Sequence, residues 1–184
     1  MVKTQGVSNF IFIKNDILRQ NLDQVFDHIL EIITIVGSSK YTNFEKSSFR
    51  KTVVIYTSSI IEALLLYMLQ ENKTEEECAK SKSEFKIIKE IYIIDENKKI
   101  VLGEDYFKKE SFNFKKINLS QINDLCKEHK FVDLNLYKDI SKVRDLRNKQ
   151  HLGSLVAIDS YSKNDLAFVF NVAKNVKKLV KSRV

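Results

Sequence analysis

VVIYTSSIIEALLLYML, residues 53–69, is the longest apolar stretch of the chain. Extended in both directions it reads as one helix from about Phe44 to Gln70, with Phe49, Val53, Tyr56, Ile60, Ala63, Leu64, Tyr67 and Met68 in a single stripe. Ile55, Ile61, Leu65, Leu66 and Leu69 cover the other sides, so the second half is apolar almost all round. Such a helix is expected at the centre of a bundle or of an oligomer. Thr57, Ser58, Ser59 and Glu62 interrupt the run. A membrane span needs about 20 apolar residues with few charges, so a buried helix is expected and not a span.

The flanking sequence is also mostly helical in pattern. The chain contains no proline and only four glycines, which favours long uninterrupted helices. Leu18, Leu22, Val25, Phe26, Ile29, Ile33 and Val36 predict a helix from about Asn15 to Val36, with Gly37 as its stop. A weaker helical stretch is expected over 74–89. EIYIID (90–95), the turn-like ENKK (96–99) and IVLGEDYF (100–107) then suggest a short hairpin over about 90–108. Ser120 to His129 forms another helix, as does Leu134 to Gln150, closed by Gly153. SKND (162–165) resembles a capping box and starts a last helix to about Lys181, with Leu166, Val169, Phe170, Ala173, Val176 and Val180 as its apolar stripe. The expected fold is mainly all-α: a single domain, residues 1–184, with a short β-hairpin insertion.

Composition narrows the class further. With 43% hydrophobic and 30% charged residues among 184, the chain has the make-up of a globular protein, not a disordered one. Cys78 and Cys126 have no metal or redox spacing and read as reduced thiols of a cytoplasmic protein. The apolar run Phe10 to Ile13 is too short for a signal-peptide core. The net charge of +7 permits nucleic-acid binding. Its lysines are scattered, however, and those of the tail (Lys174, Lys177, Lys178, Lys181, with Arg183) suit a helix C-terminus. There is no Gly-rich phosphate loop, GxSxG, HExxH or CxxC, and His28, His129 and His151 are dispersed, so neither cofactor nor metal is expected. Glu75 to Glu77 read as an acidic helix start. Phe107, Phe112 and Phe114, set between lysines, are expected to pack rather than to stack bases.

RDLRNKQHLG (144–153) carries the chemical information. Turning about 100 degrees per residue from Leu136, Ile140 and Val143 mark the buried face, and Arg147 falls in its middle at about 20 degrees. Arg144 and His151 line the edge, at about 80 and 60 degrees. An unpaired charge does not stay buried, so Arg147 needs a carboxylate, a partner subunit or a bound phosphate. Glu62, inside the most apolar helix, needs a partner too. A Glu62–Arg147 or Glu62–Arg144 pair answers both needs, and its plainest reading is a staple between two helices. His151 alone reads as a cap on helix carbonyls; the triplet Arg144, Arg147, His151 at i, i+3, i+7 reads as a site.

Those residues resemble the HEPN superfamily of helical domains, whose signature is an arginine, a polar residue and a histidine after four to six intervening positions. Arg144-Asp145 with His151 fits with six between; Arg147-Asn148 with His151 approximates the commoner form but is one residue short. SIIEALLLYML resembles the glutamate-bearing apolar helix of many members, and the helix order matches from Asp16 to Val184. The resemblance implies a four-or-five-helix bundle that forms a homodimer, with arginine and histidine of both subunits in one cleft. It implies a metal-independent ribonuclease of a bacterial toxin–antitoxin or anti-phage defence system. His151 would act on the 2′-hydroxyl or leaving oxygen, Arg144 with Arg147 would hold the phosphate, Asn148 would position phosphate or cap the helix, and Asp145 would orient the site. Many relatives of this shape are non-catalytic dimeric modules that bind a protein partner, such as an antitoxin, or a nucleic acid. A purely structural bundle in which Glu62 pairs with arginine is the third reading.

Overall fold

The computed structural model describes residues 7–149 and 161–184. Along the chain run α1 (Asp16–Gly37), α2 (Asn43–Asn72), α3 (Glu75–Cys78), β1 (Ser81–Asp95), β2 (Lys98–Lys109), α4 (Leu119–Glu128), α5 (Leu134–Asn148) and α6 (Lys163–Lys181). The chain is mainly helical. It divides into two compact units: Lys73–Lys116, which holds α3 and both strands, and a helical unit formed from the residues on either side.

Each helix of the helical unit except α2 starts at an Asx or Ser cap that satisfies an otherwise unbonded amide. Asn15 accepts from the Leu18 amide at 3.0 Å and Asp133 from the Leu136 amide at 2.8 Å. Asn118 with Gln121 and Ser162 with Asp165 form reciprocal capping boxes, which moves the start of α4 ahead of Ser120. These caps fix where the amphipathic stripes begin, and the stripes meet on α2, which packs against α1, α4, α5 and α6. Val54, Ile61, Leu64, Leu65, Met68 and Leu69 are fully buried, as its all-round apolar pattern requires. Buried Ser58 donates to the Val54 carbonyl at 2.7 Å and so enters the core without an orphan hydroxyl. By length and composition α2 could cross a membrane, yet 61% of its most apolar window is buried, as in the core helix of a bundle.

α4 and α5 form an antiparallel pair with a polar seam. Buried Asn123 donates to the Tyr137 carbonyl at 2.9 Å and to Ser141 Oγ at 3.2 Å, and Tyr137 donates to Asp124 at 2.8 Å. That carboxylate raises the Tyr137 phenol above its ordinary pKa. The turn between the helices is a Schellman motif: the Phe131 amide reaches the Cys126 carbonyl at 2.7 Å and the Lys130 amide the Lys127 carbonyl at 3.0 Å. The motif sets Lys130 at φ 57°, a left-handed conformation that crowds its Cβ.

In the other unit, Thr74 and Glu77 cap the one-turn α3, and Lys73 and the Thr74 amide hold the Glu77 carboxyl down to about 2. The helix expected over 74–89 stops at Cys78; residues 81–89 are strand. Phe85, Ile87 and Ile88 fit a helical or an extended pattern equally well, and pairing with β2, from Ser81↔Lys109 to Asp95↔Lys98, decides between them. The hairpin is therefore longer than the sequence suggests. Ile88, Ile91 and Ile94 are the residues skipped at three register shifts in β1, while all twelve residues of β2 are paired. The Phe85 ring covers Gly103 so closely that a Cβ there would lie 2.3 Å from it.

Relieving the strain at Lys130 should stabilise the protein. Lys130→Gly is expected to gain about 0.5 kcal/mol, the left-handed penalty less the extra entropy of glycine. Urea denaturation followed by circular dichroism measures it; a loss of stability would mean that the Lys130 side chain contributes more than its backbone costs.

Candidate functional site

The site residues lie on the last two turns of α5. Arg144 and Arg147, three positions apart on one side of the helix, turn to different neighbours. Arg147 points to α2, where its guanidinium donates to Glu62 at 2.5 Å. The two side chains are 31% and 23% exposed, so the pair is partly withdrawn from water. Of the two pairings open at the level of sequence, Glu62–Arg147 is the one that forms. It satisfies the one carboxylate in the apolar run 53–69 of α2 and the arginine on the buried face of α5.

Arg144 turns instead toward α4. One terminal nitrogen donates to Ser120 Oγ at 2.8 Å, while Nε and the other donate to a single Asp145 oxygen at 3.2 and 2.9 Å. Asp145 is exposed, and Arg144 retains 36% side-chain exposure. Arg144 is thus oriented on two sides and open on a third, the condition for binding a planar anion. Asn148 is the exposed last residue of α5. His151, and with it Gly153, lies outside the described residues.

The points at which the chain leaves α5 and re-enters before α6 are tied together. Buried Tyr161 donates its hydroxyl to the Leu146 carbonyl at 2.9 Å, and its amide donates to Ser47 Oγ at 2.8 Å. Its own carbonyl accepts from Arg50 at 3.0 Å. Among the described residues Arg50 Nε is buried without a hydrogen-bond partner, and Lys51 Nζ stands 5.9 Å from the Tyr161 ring centre. The start of α2 thereby brings two further cations to the end of α5. Sequence reasoning missed Ser47, Arg50, Ser120 and Tyr161. Only Tyr161 carried a local signal, an aromatic directly before the SKND cap where a hydrophobic staple residue belongs; the other three are set by packing between helices distant in sequence. Among the described residues no three His, Cys, Asp or Glu side chains converge as metal ligands would.

Comparison of the chain with protein-family models, curated proteins and solved structures gives no match.

The two arginines are expected to separate in stability measurements. Arg147→Ala leaves Glu62 without its partner in the apolar part of α2 and should cost about 1–3 kcal/mol, less than a fully buried pair because both groups keep some water. Arg144→Ala should cost under about 1 kcal/mol, since Ser120 and Asp145 are restored to solvent. Urea titration of the two variants checks this, and equal losses would overturn the division.

Proposed function

We propose that the chain is an HEPN-like, RNA-directed homodimer acting as a metal-independent endoribonuclease, of the kind used in bacterial toxin and anti-phage systems. Arg144 is its phosphate-binding arginine and His151 its proton-transfer group. The observation that supports this most is the division between the arginines: Glu62 occupies Arg147, whereas Arg144 stands oriented and accessible beside Asp145. This favours the register Arg144-Asp145…His151. Asp145 then holds the guanidinium plane, and Arg147 serves as a positioning residue that fixes the end of α5 to α2. Arg50 and Lys51, next to Tyr161, add positive charge at the same end of the helix.

The chemistry needs only these groups. An RNA 2′-oxygen attacks its own phosphorus and the bond to the 5′-oxygen breaks. Arg144 offsets the charge that gathers on the phosphoryl oxygens, and a histidine, which titrates near neutral pH, moves the proton. A second reading, a non-catalytic dimeric module for a protein partner, is favoured by the large apolar exposure of the β1–β2 unit.

Wild type is expected to cleave a mixed RNA in the presence of chelator. His151→Ala and Arg144→Ala, confirmed as folded, should each lose about 10²–10⁴-fold of that rate. Absence of cleavage by folded wild type turns the assignment to the binding module, and equal cleavage by wild type and His151→Ala removes His151 from the site.

A further inference from the structure

The unit Lys73–Lys116 is built unlike a self-sufficient domain. Of the seventeen exposed large apolar side chains among the described residues, eleven lie on its two strands, between 40% and 78% exposed. A lone two-stranded hairpin is at best marginally stable in water, and three or more strands are the usual remedy. Both edges of this two-stranded sheet are open among the described residues. They are not equivalent. The register shifts at Ile88, Ile91 and Ile94 kink β1 and blunt it as a template, whereas β2 runs through twelve residues without a shift.

Charge says what kind of partner β2 fits. Residues 81–109 carry seven lysines and six carboxylates, so the ribbon is close to neutral and holds little of the chain's net +7. That is a poor surface for phosphate and a good one for a protein strand. Over residues 98–105 of β2 the signs are segregated: Lys98 and Lys99 at one end of an apolar centre, Glu104 and Asp105 at the other, with Lys108 and Lys109 beyond them. A second β2 laid antiparallel about a two-fold axis at Val101 keeps each side chain on its own face of the sheet. It sets Lys98 opposite Glu104, Ile100 opposite Leu102 and Val101 opposite its own copy, with Lys99 diagonal to Asp105. Sliding the strands until Lys98 meets Lys108 sets like charges together and is disfavoured.

We propose that β2 pairs with β2 of a second copy of this chain, antiparallel and centred on Val101, to form a continuous four-stranded sheet. The contact does not rest on the nuclease reading: a homodimer formed through the helical unit is a separate association step, which the strand variants leave in place together with RNA cleavage while they weaken this one.

Charge reversal in the full-length chain tests it. Lys98→Glu and Glu104→Lys each set like charges face to face at two places in the pair. Each should weaken self-association at least about tenfold by sedimentation equilibrium, and the double variant Lys98→Glu/Glu104→Lys should return it to near the wild-type value. Val101→Cys should form a disulfide-linked dimer under mild oxidation, because its two copies face each other. Lys108→Cys should not, because its copies lie about 46 Å apart in the same register. The native Cys78 and Cys126 are buried and add little background. A mass unaffected by either single reversal, a double variant no better than the singles, or equal cross-linking at 101 and 108 overturns the proposal.

Discussion

The organisation of the helical unit follows from one constraint: α2 must be covered on nearly every side. Its second half offers no polar face to water, so leaving any flank open would forfeit on the order of 2 kcal/mol for each exposed Leu or Ile. Four helices supply the cover, each meeting α2 with the stripe that its cap places in register. The same desolvation explains the few polar groups inside. Ser58 bonds back to its own helix, and Glu62 sits where α5 can bring it a guanidinium.

From that packing comes the distinction between two arginines that look interchangeable in sequence. α5 is held between α2 and α4, and residues three apart on it diverge enough to reach different neighbours. Arg147 meets a carboxylate on the apolar helix and is used up there. Arg144 meets a hydroxyl and the exposed carboxylate of its own neighbour, and keeps a face toward solvent. Tyr161 closes the arrangement from the other side, because its bonds to Leu146 and Ser47 and the one it receives from Arg50 tie the start of α6 to both α5 and α2.

The strand-bearing unit obeys a different economy. It has two faces, both with apolar side chains, and no helix of its own longer than one turn to cover them. Lys99 with Glu90 and Tyr106 with Glu84 make polar cross-strand contacts, and Phe85 shields Gly103. These contacts hold a ribbon together without hiding it. Its shifts fall on one strand only, so one edge is interrupted and the other is not.

Much of the helical unit was legible in the chain. Stripes at three- and four-residue spacing located α1, α2, α5 and α6 to within a residue or two, because apolar periodicity and Asx or Ser caps are local properties. The need of Arg147 and Glu62 for partners was legible as well, since burial of an unpaired charge is costly in any fold. The extent of the hairpin was not. Residues 81–89 carry Phe85, Ile87 and Ile88 at spacings that suit either state, and only pairing with eight residues of β2, up to 28 positions away, makes them a strand. Nor did sequence separate Arg144 from Arg147 or point to Ser120 and Arg50. Local patterning determined which segments are helical and which charges need company; tertiary packing alone decided which partner each charge receives, because that depends on which helices lie side by side.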